Sequence, residues 1–206
     1  MSTKREYIIN ELMNEGFIEN ENSCICLEET IESGKSQLIL QLLSNSNLSI
    51  KNVDNKKTEL NFFKSGSKLG LSKRVDHIVF EKLQNDEWKL HLIEMKSTVG
   101  YGTWIDVKGK FRASYLVAQA IAAMLEMTIV KTYMYTTYEK VDLKLSDTKP
   151  SARRVHTGEK MIRPEEEWNG TEFRLNYGEK VKFEHIPIPM KRDESEILVG
   201  EYKNTN

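Results

Sequence analysis

Hydrophobic residues recur along the chain at two different spacings, and each spacing predicts a different kind of element. Residues 73–83 and 88–98 alternate apolar and polar positions around a polar turn near Asn85, which predicts an antiparallel hairpin. Residues 107–127 are rich in alanine and carry apolar residues at helical spacing, which predicts a long helix. The β-branched and aromatic segment 128–138 predicts another strand.

The pattern before residue 73 is less regular. Helical spacing predicts helices over residues 3–15 and 26–44, although Gly34 makes a hairpin the alternative for the second segment. Residues 58–64 predict a strand. The expected order is therefore helix, strand, strand, strand, helix, strand: an α/β domain over residues 1–140 with a mixed central sheet flanked by helices.

Residues 141–206 form a C-terminal extension that we expect to pack on the same domain. Its first part, 141–167, is polar, and residues 171–188 predict two further strands. The end of the chain, from Lys191, has the composition of a frayed tail.

Composition narrows the classes of protein to consider. The chain has 206 residues, of which 39% are hydrophobic and 30% charged, with a net charge of -1, which argues against a histone-like binder but allows a local basic groove. Cys24 and Cys26 have neither zinc-site nor redox-motif spacing, so we expect two reduced, buried thiols. No signal peptide and no membrane-spanning apolar run is evident, which predicts a cytoplasmic protein without membrane contact.

One group of charged residues lies inside the predicted hairpin. Side chains alternate faces in a strand, so Glu94 and Lys96 share one face while Ile93 and Met95 point to the other. Charged groups in an apolar strand are costly to bury unless they are paired or bind an ion. A hairpin centred near residue 85 also places Asp76 opposite Glu94, because the paired positions sum to about 170.

These residue types suit the hydrolysis of a phosphodiester. Two carboxylates can hold a hard divalent cation such as Mg²⁺ or Mn²⁺, the Met95 carbonyl can add a ligand, and Lys96 can orient a water molecule. The pattern Glu-x-Lys occurs three times in the chain, but only Glu94–Lys96 lies within an apolar strand that follows an Asp-bearing strand. A surface ion pair is the alternative interpretation.

Residues 56–138, with Asp76, Glu94 and Lys96, resemble the catalytic core of the PD-(D/E)XK nuclease superfamily. The resemblance implies a restriction-endonuclease-like core and a Mg²⁺-dependent nuclease, with Asp76 and Glu94 binding metal and Lys96 positioning the nucleophilic water. Val75 stands where the name-giving proline would be.

The superfamily often adds an acidic residue from a helix before the sheet. Among Glu28, Glu29 and Glu32, the last is the candidate, with an ordinary surface glutamate as the alternative. Gln119, on the predicted long helix, is a second candidate for supporting the active site.

Several cations and one aromatic residue are candidates for binding nucleic acid, with DNA the expected substrate. They lie after the Glu94 strand and in the extension: Trp104, Lys108, Lys110, Arg112, Arg153 and Arg154. Solvated surface positions are the alternative for these residues. The alternative function is a catalytically silent binding or inhibitory module that acts on nucleic acid or a protein partner, and a homodimer is also considered.

Overall fold

The computed structural model describes residues 4–7, 9–10, 18–31, 34–51, 53, 73–143, 163–170 and 172–203. Within these ranges the first half of the chain forms α1 (Lys4–Tyr7), β1 (Ile18–Glu21), β2 (Cys24–Ile31), β3 (Gly34–Gln41), β4 (Asn47–Ile50), β5 (His77–Lys82) and β6 (Glu87–Glu94). The second half forms β7 (Thr98–Gly100), α2 (Tyr101–Met124), β8 (Thr128–Tyr138), β9 (Lys140–Asp142), α3 (Pro164–Trp168), β10 (Arg174–Asn176), β11 (Lys180–Lys182), β12 (Glu184–Pro189), β13 (Lys191–Arg192) and β14 (Leu198–Lys203).

The central sheet has six strands in the order β1-β4-β5-β6-β8-β12. Each pair from β1 to β6 in this order is antiparallel, while β8 is parallel to β6 and β12 is parallel to β8. Two parallel strands cannot be joined by a tight turn, and α2 provides the crossover from β6 to β8. The prediction of an α/β fold with a mixed sheet is confirmed at this level.

The β5–β6 hairpin has the register that the sequence predicts. Asn85 and Asp86 adopt φ values of 58° and 60° in the turn, a conformation that short polar side chains tolerate. His77 then pairs with Ile93, so Asp76, immediately before β5, lies across from Glu94 at the end of β6. Residues far apart in sequence are thus brought together at one end of the sheet.

The long helix begins earlier than predicted. Helix α2 starts at Tyr101 rather than near residue 107, and Gly100 occupies its N-cap. Gly100 and Gly102 weaken the helical pattern at this point, because glycine has low helix propensity. Burial of Trp104 and Val107 against the sheet compensates for that weakness.

The prediction of a helix over residues 26–44 is wrong, and the hairpin alternative is right. Strands β2 and β3 pair antiparallel. Along β2, the buried Ile25 and Leu27 alternate with the exposed Cys24 and Cys26. The expectation of buried thiols is therefore also wrong. Apolar residues at every second position, not at helical spacing, set the structure of this segment.

The C-terminal extension contributes strands to both larger sheets. Strand β12 pairs with β8 at the edge of the central sheet, and β14 pairs with β3 in a four-stranded sheet of order β13-β14-β3-β2. The expectation of a frayed tail from Lys191 is wrong as far as Lys203, because Leu198 is buried and β14 is fully paired along β3. The strand predicted at 58–64 lies outside the described residues.

The central sheet separates two hydrophobic cores. On one face, Leu90 and Leu92 of β6 pack in a core that includes residues of α2. On the other face, Ile93 and Met95 pack with residues of the β2–β3 hairpin. By strand alternation, the side chains of Asp76 and Glu94 lie on the face of the sheet that carries α2, within reach of that helix.

Candidate active site

The segment that carries Asp76 is fixed by buried hydrogen bonds. The Val75 amide donates to Ser114 Oγ on α2 at 2.8 Å, and the buried Arg74 donates to the Val53 carbonyl at 3.2 Å. The Met95 amide in turn donates to Asp76 Oδ2 at 2.6 Å. Asp76 is therefore held by its own chain on one side and by the end of β6 on the other.

Glu94 is a fully buried carboxylate in an unusual environment. Its Oε1 atom lies 2.7 Å from Lys96 Nζ and 2.6 Å from Lys110 Nζ. Its Oε2 atom has no hydrogen-bond partner among the described residues. Burial, together with the negative charge of Asp76, raises the pKa of Glu94 to about 7 despite the two lysines.

Hydrogen bonds hold both the backbone and the side chain of Lys96. Its backbone amide donates to Thr137 Oγ1 at 2.9 Å, and the Thr137 hydroxyl donates to the Lys96 carbonyl at 3.2 Å. Its ammonium also donates to the Met95 carbonyl at 2.9 Å. Burial opposes the charge on Lys96, but the negative charges of Glu94 and Asp76 outweigh it, so the pKa of Lys96 is raised.

Helix α2 adds a residue to this site that the sequence assigned elsewhere. Lys110 was predicted to contact nucleic acid, yet its Nζ lies 2.6 Å from Glu94 Oε1 and 3.8 Å from Asp76 Oδ1. The buried Val107 and Ser114, three residues before and four after, show that Lys110 lies on the stripe of α2 that faces the sheet. We call Asp76, Glu94, Lys96 and Lys110 the carboxylate cluster.

The acidic candidates of the N-terminal region, Glu28, Glu29 and Glu32, were expected on a helix. Glu28 and Glu29 lie on β2 rather than on a helix, and Glu32 lies outside the described residues. The negative charge of Glu29 contributes to raising the pKa of Lys96, which brings β2 into the electrostatic environment of the site. The β2–β3 hairpin thus borders the cluster from the side of the second core.

The donor set fits a hard divalent ion in type. The oxygen atoms of Asp76 and Glu94, with the Met95 carbonyl, are the ligands that Mg²⁺ prefers. The unpartnered Glu94 Oε2 is a buried polar atom whose desolvation a cation would offset. No group of three Asp, Glu, His or Cys side chains with metal-binding spacing occurs among the described residues, so water or substrate would have to complete the coordination.

Two other residues that were candidates for binding nucleic acid, Trp104 and Lys108, contact other parts of the protein. Trp104 is completely buried against Trp168 and Phe173, so the prediction that it stacks on a base is wrong. Lys108 is ion-paired with Glu167 of α3 at 2.6 Å.

Of the four remaining candidates, Arg112 and Gln119 have other surroundings, and two lie outside the described residues. The Arg112 carbonyl accepts a hydrogen bond from the Tyr177 hydroxyl at 3.2 Å. Gln119 lines a cavity of about 520 Å³ with Lys131 and Glu184, and no residue of the carboxylate cluster lines that cavity. Arg153 and Arg154 lie outside the described residues.

A second buried polar group lies on the same hairpin and faces the second core. Glu81 accepts hydrogen bonds from the Leu43 and Ser44 amides, at 2.9 and 3.3 Å, and contacts His91 Nε2 at 3.0 Å. His91 Nδ1 lies 2.9 Å from the Tyr135 hydroxyl. We call Glu81, His91 and Tyr135 the Glu81 cluster.

Burial and hydrogen bonds together set the charge states in the Glu81 cluster. Burial lowers the pKa of His91 despite the nearby Glu81, and burial raises the pKa of Tyr135 well above its usual value. A neutral His91 then donates from Nε2 to Glu81 and accepts at Nδ1 from Tyr135. Burial alone would raise the pKa of Glu81, but its hydrogen bonds to His91 and Leu43 lower it.

No protein-family model, curated protein or solved structure matches the chain. Within the described ranges, none of the helices combines the length and apolar character needed to cross a membrane.

Proposed function

We propose that the protein is a metal-dependent nuclease of the PD-(D/E)XK type, with Asp76, Glu94 and Lys96 as its active site. One observation carries the proposal: two carboxylates from neighbouring strands converge with a lysine, and one buried carboxylate oxygen has no protein partner. The mixed sheet supports the proposal, because β5 and β6 are antiparallel and the long helix α2 lies between the parallel strands β6 and β8. Burying such a group without a ligand would cost stability.

Asp76, Glu94 and the Met95 carbonyl are the groups that would hold Mg²⁺ or Mn²⁺. When bound, such an ion lowers the pKa of a coordinated water and neutralises charge at the phosphate. Burial has already removed most water from Glu94, which strengthens its attraction for a cation.

Lys96 has a separate role in this proposal. Its ammonium is held at the rim of the cluster by Glu94 and the Met95 carbonyl, with 28% of the side chain exposed. From this position it can orient an attacking water and stabilise the negative charge that develops on the phosphoryl oxygens. Hydrolysis then forms a bond from the water oxygen to phosphorus and breaks the bond to the leaving oxygen, which takes up a proton.

A second candidate function is a nuclease-like module that binds a partner without cleavage. The observation in its favour is that the two carboxylates are matched by two lysines, Lys96 and Lys110, so the cluster is electrically balanced by protein groups alone. Such a cluster could serve only to fix the end of the sheet. Catalysis separates the two candidates.

Incubation of the purified chain with plasmid DNA, single-stranded DNA and RNA tests the proposal. We expect cleavage of at least one substrate with Mg²⁺ or Mn²⁺, none with EDTA, and strongly reduced cleavage by Lys96→Ala. Absence of cleavage from all three substrates with either ion would favour the binding module. Equal cleavage by Lys96→Ala would show that the activity has another source.

A further inference from the structure

The ammonium of Lys110 lies between the two carboxylates. It contacts Glu94 Oε1 at 2.6 Å and Asp76 Oδ1 at 3.8 Å, and 17% of the side chain is exposed. A cation that bridges two carboxylates stands where a shared metal ion would be attracted most strongly. The Lys110 ammonium and a divalent ion would therefore compete for the same position.

The other lysine of the cluster is held differently. Lys96 contacts Glu94 and the Met95 carbonyl, and its backbone is pinned to Thr137 on β8. Lys110 reaches the cluster only through its side chain from α2, and its ammonium contacts no protein group other than the two carboxylates in the described structure. A flexible four-carbon stem allows such an ammonium to leave without any change in the backbone.

We propose that Lys110 is the resident counter-ion of the Asp76–Glu94 pair and that a divalent cation binds by displacing it. The inference rests on the proposed metal site. While the ammonium is in place it offsets the repulsion between the two carboxylates, which keeps them close before the ion arrives. Once displaced, the ammonium lies beside the site, where it can contact a substrate phosphate.

Binding of a divalent ion changes the net charge of the carboxylate cluster. When Asp76 and Glu94 are both ionised, the two carboxylates and two ammonium groups sum to zero, so a divalent ion leaves the cluster with an excess of two positive charges. An anionic phosphate compensates that excess. Metal and nucleic acid should therefore each strengthen the binding of the other.

Mn²⁺ titration by calorimetry of Lys110→Met and of wild type tests the displacement. We expect Lys110→Met to bind Mn²⁺ about tenfold more tightly or better, the scale of removing one nearby unit charge at a partly buried site. Lys110→Arg keeps the charge and should remain close to wild type. Lys108→Met is the matched control, because Lys108 lies on the same helix but pairs with Glu167.

Thermal unfolding supplies a second readout. Without metal, Lys110→Met should melt below wild type, because the carboxylates repel each other, and Mn²⁺ should raise its melting temperature by more than it raises that of wild type. Mn²⁺ affinity of Lys110→Met that is equal to or weaker than that of wild type would overturn the inference while leaving the metal site intact. If neither protein binds Mn²⁺, the proposed function fails as well.

Discussion

The β5–β6 hairpin carries two buried polar clusters that differ in how completely the protein satisfies them. In the Glu81 cluster the carboxylate oxygens, both His91 nitrogens and the Tyr135 hydroxyl all have partners. In the carboxylate cluster Glu94 Oε2 has none among the described residues, while Oε1 of the same residue contacts two ammonium groups. Most buried polar groups in folded proteins are satisfied, so the unpartnered Glu94 oxygen needs an explanation, and a bound cation would provide one.

The two clusters also differ in electrostatics. The hydrogen bonds of Glu81 outweigh its burial and lower its pKa, whereas burial and the charge of Asp76 raise the pKa of Glu94 to about 7. A strongly perturbed carboxyl beside a second carboxylate is typical of functional sites. Replacing Glu94 should therefore lower cleavage, whereas replacing Glu81 should lower the stability of the fold and leave cleavage unchanged.

The largest effect is expected from Asp76→Asn and Glu94→Gln. Each variant keeps the shape of the side chain but removes a negative charge that the proposed metal site requires. Cleavage should fall by at least roughly 10²- to 10³-fold, the scale of losing a preorganised electrostatic group. Glu87→Gln is the control, because Glu87 is exposed at the start of β6, and its cleavage rate should match that of wild type.

Lys96→Ala should lower cleavage by roughly 10²-fold while Mn²⁺ affinity stays the same or rises. In the proposed mechanism the ammonium stabilises charge in the transition state, whereas the carboxylates bind the ion. Lys96→Arg should not restore full activity, because a planar guanidinium does not replace a compact ammonium. A parallel loss of Mn²⁺ binding and cleavage in Lys96→Ala would instead assign Lys96 to holding the site together.

Glu81→Ala should leave the chemistry intact but destabilise the fold. The change leaves His91 and two backbone amides without their acceptor, and each buried polar group left unsatisfied costs about 1–3 kcal/mol. Urea denaturation measures this loss. Cleavage per folded molecule should remain near wild type, and a selective loss of cleavage would show that the Glu81 cluster also takes part in function.

The pH dependence of stability should have opposite signs in the two clusters. The folded-state pKa of Glu94, about 7, lies above its unfolded value of 4.5, so its contribution is present below the unfolded pKa and is lost as the pH rises through 7. That loss is on the order of 3 kcal/mol. The contribution of Glu81, whose pKa is lowered, is instead present at neutral pH and lost in acid.

Urea denaturation of wild type and Glu94→Gln without metal, from about pH 5 to about pH 8, checks the sign for Glu94. As the pH rises, the free energy of unfolding of wild type should fall relative to that of Glu94→Gln. A difference that is constant across this range would show that the pKa of Glu94 is not raised.

The part of the site that the sequence predicts depends on a single hairpin. Strict alternation and a polar turn near Asn85 set the register that places Asp76 opposite Glu94, and both are local features. The strand-to-strand contact could therefore be derived from the chain without knowledge of the rest of the fold.

Other features depend on packing that the sequence does not encode locally. Apolar residues of segment 26–44 satisfy helical spacing through Leu27 and Ile31 as well as strand alternation through Leu38 and Leu40, and pairing with β14 favours the strand. Lys110 resembles any solvated helix lysine until the position of α2 on the sheet is known. Trp104 was misassigned for the same reason, since only tertiary packing shows that it is buried.

Calorimetric titration of Mn²⁺ into wild type, Glu94→Gln and a matched Glu81→Gln variant tests the contrast between the clusters most directly. We expect wild type and Glu81→Gln to bind Mn²⁺ with similar affinity and Glu94→Gln to lose binding, because only the carboxylate cluster is proposed to hold the ion. Equal Mn²⁺ binding by Glu94→Gln and wild type, or no binding by wild type, would contradict a metal site at Asp76 and Glu94.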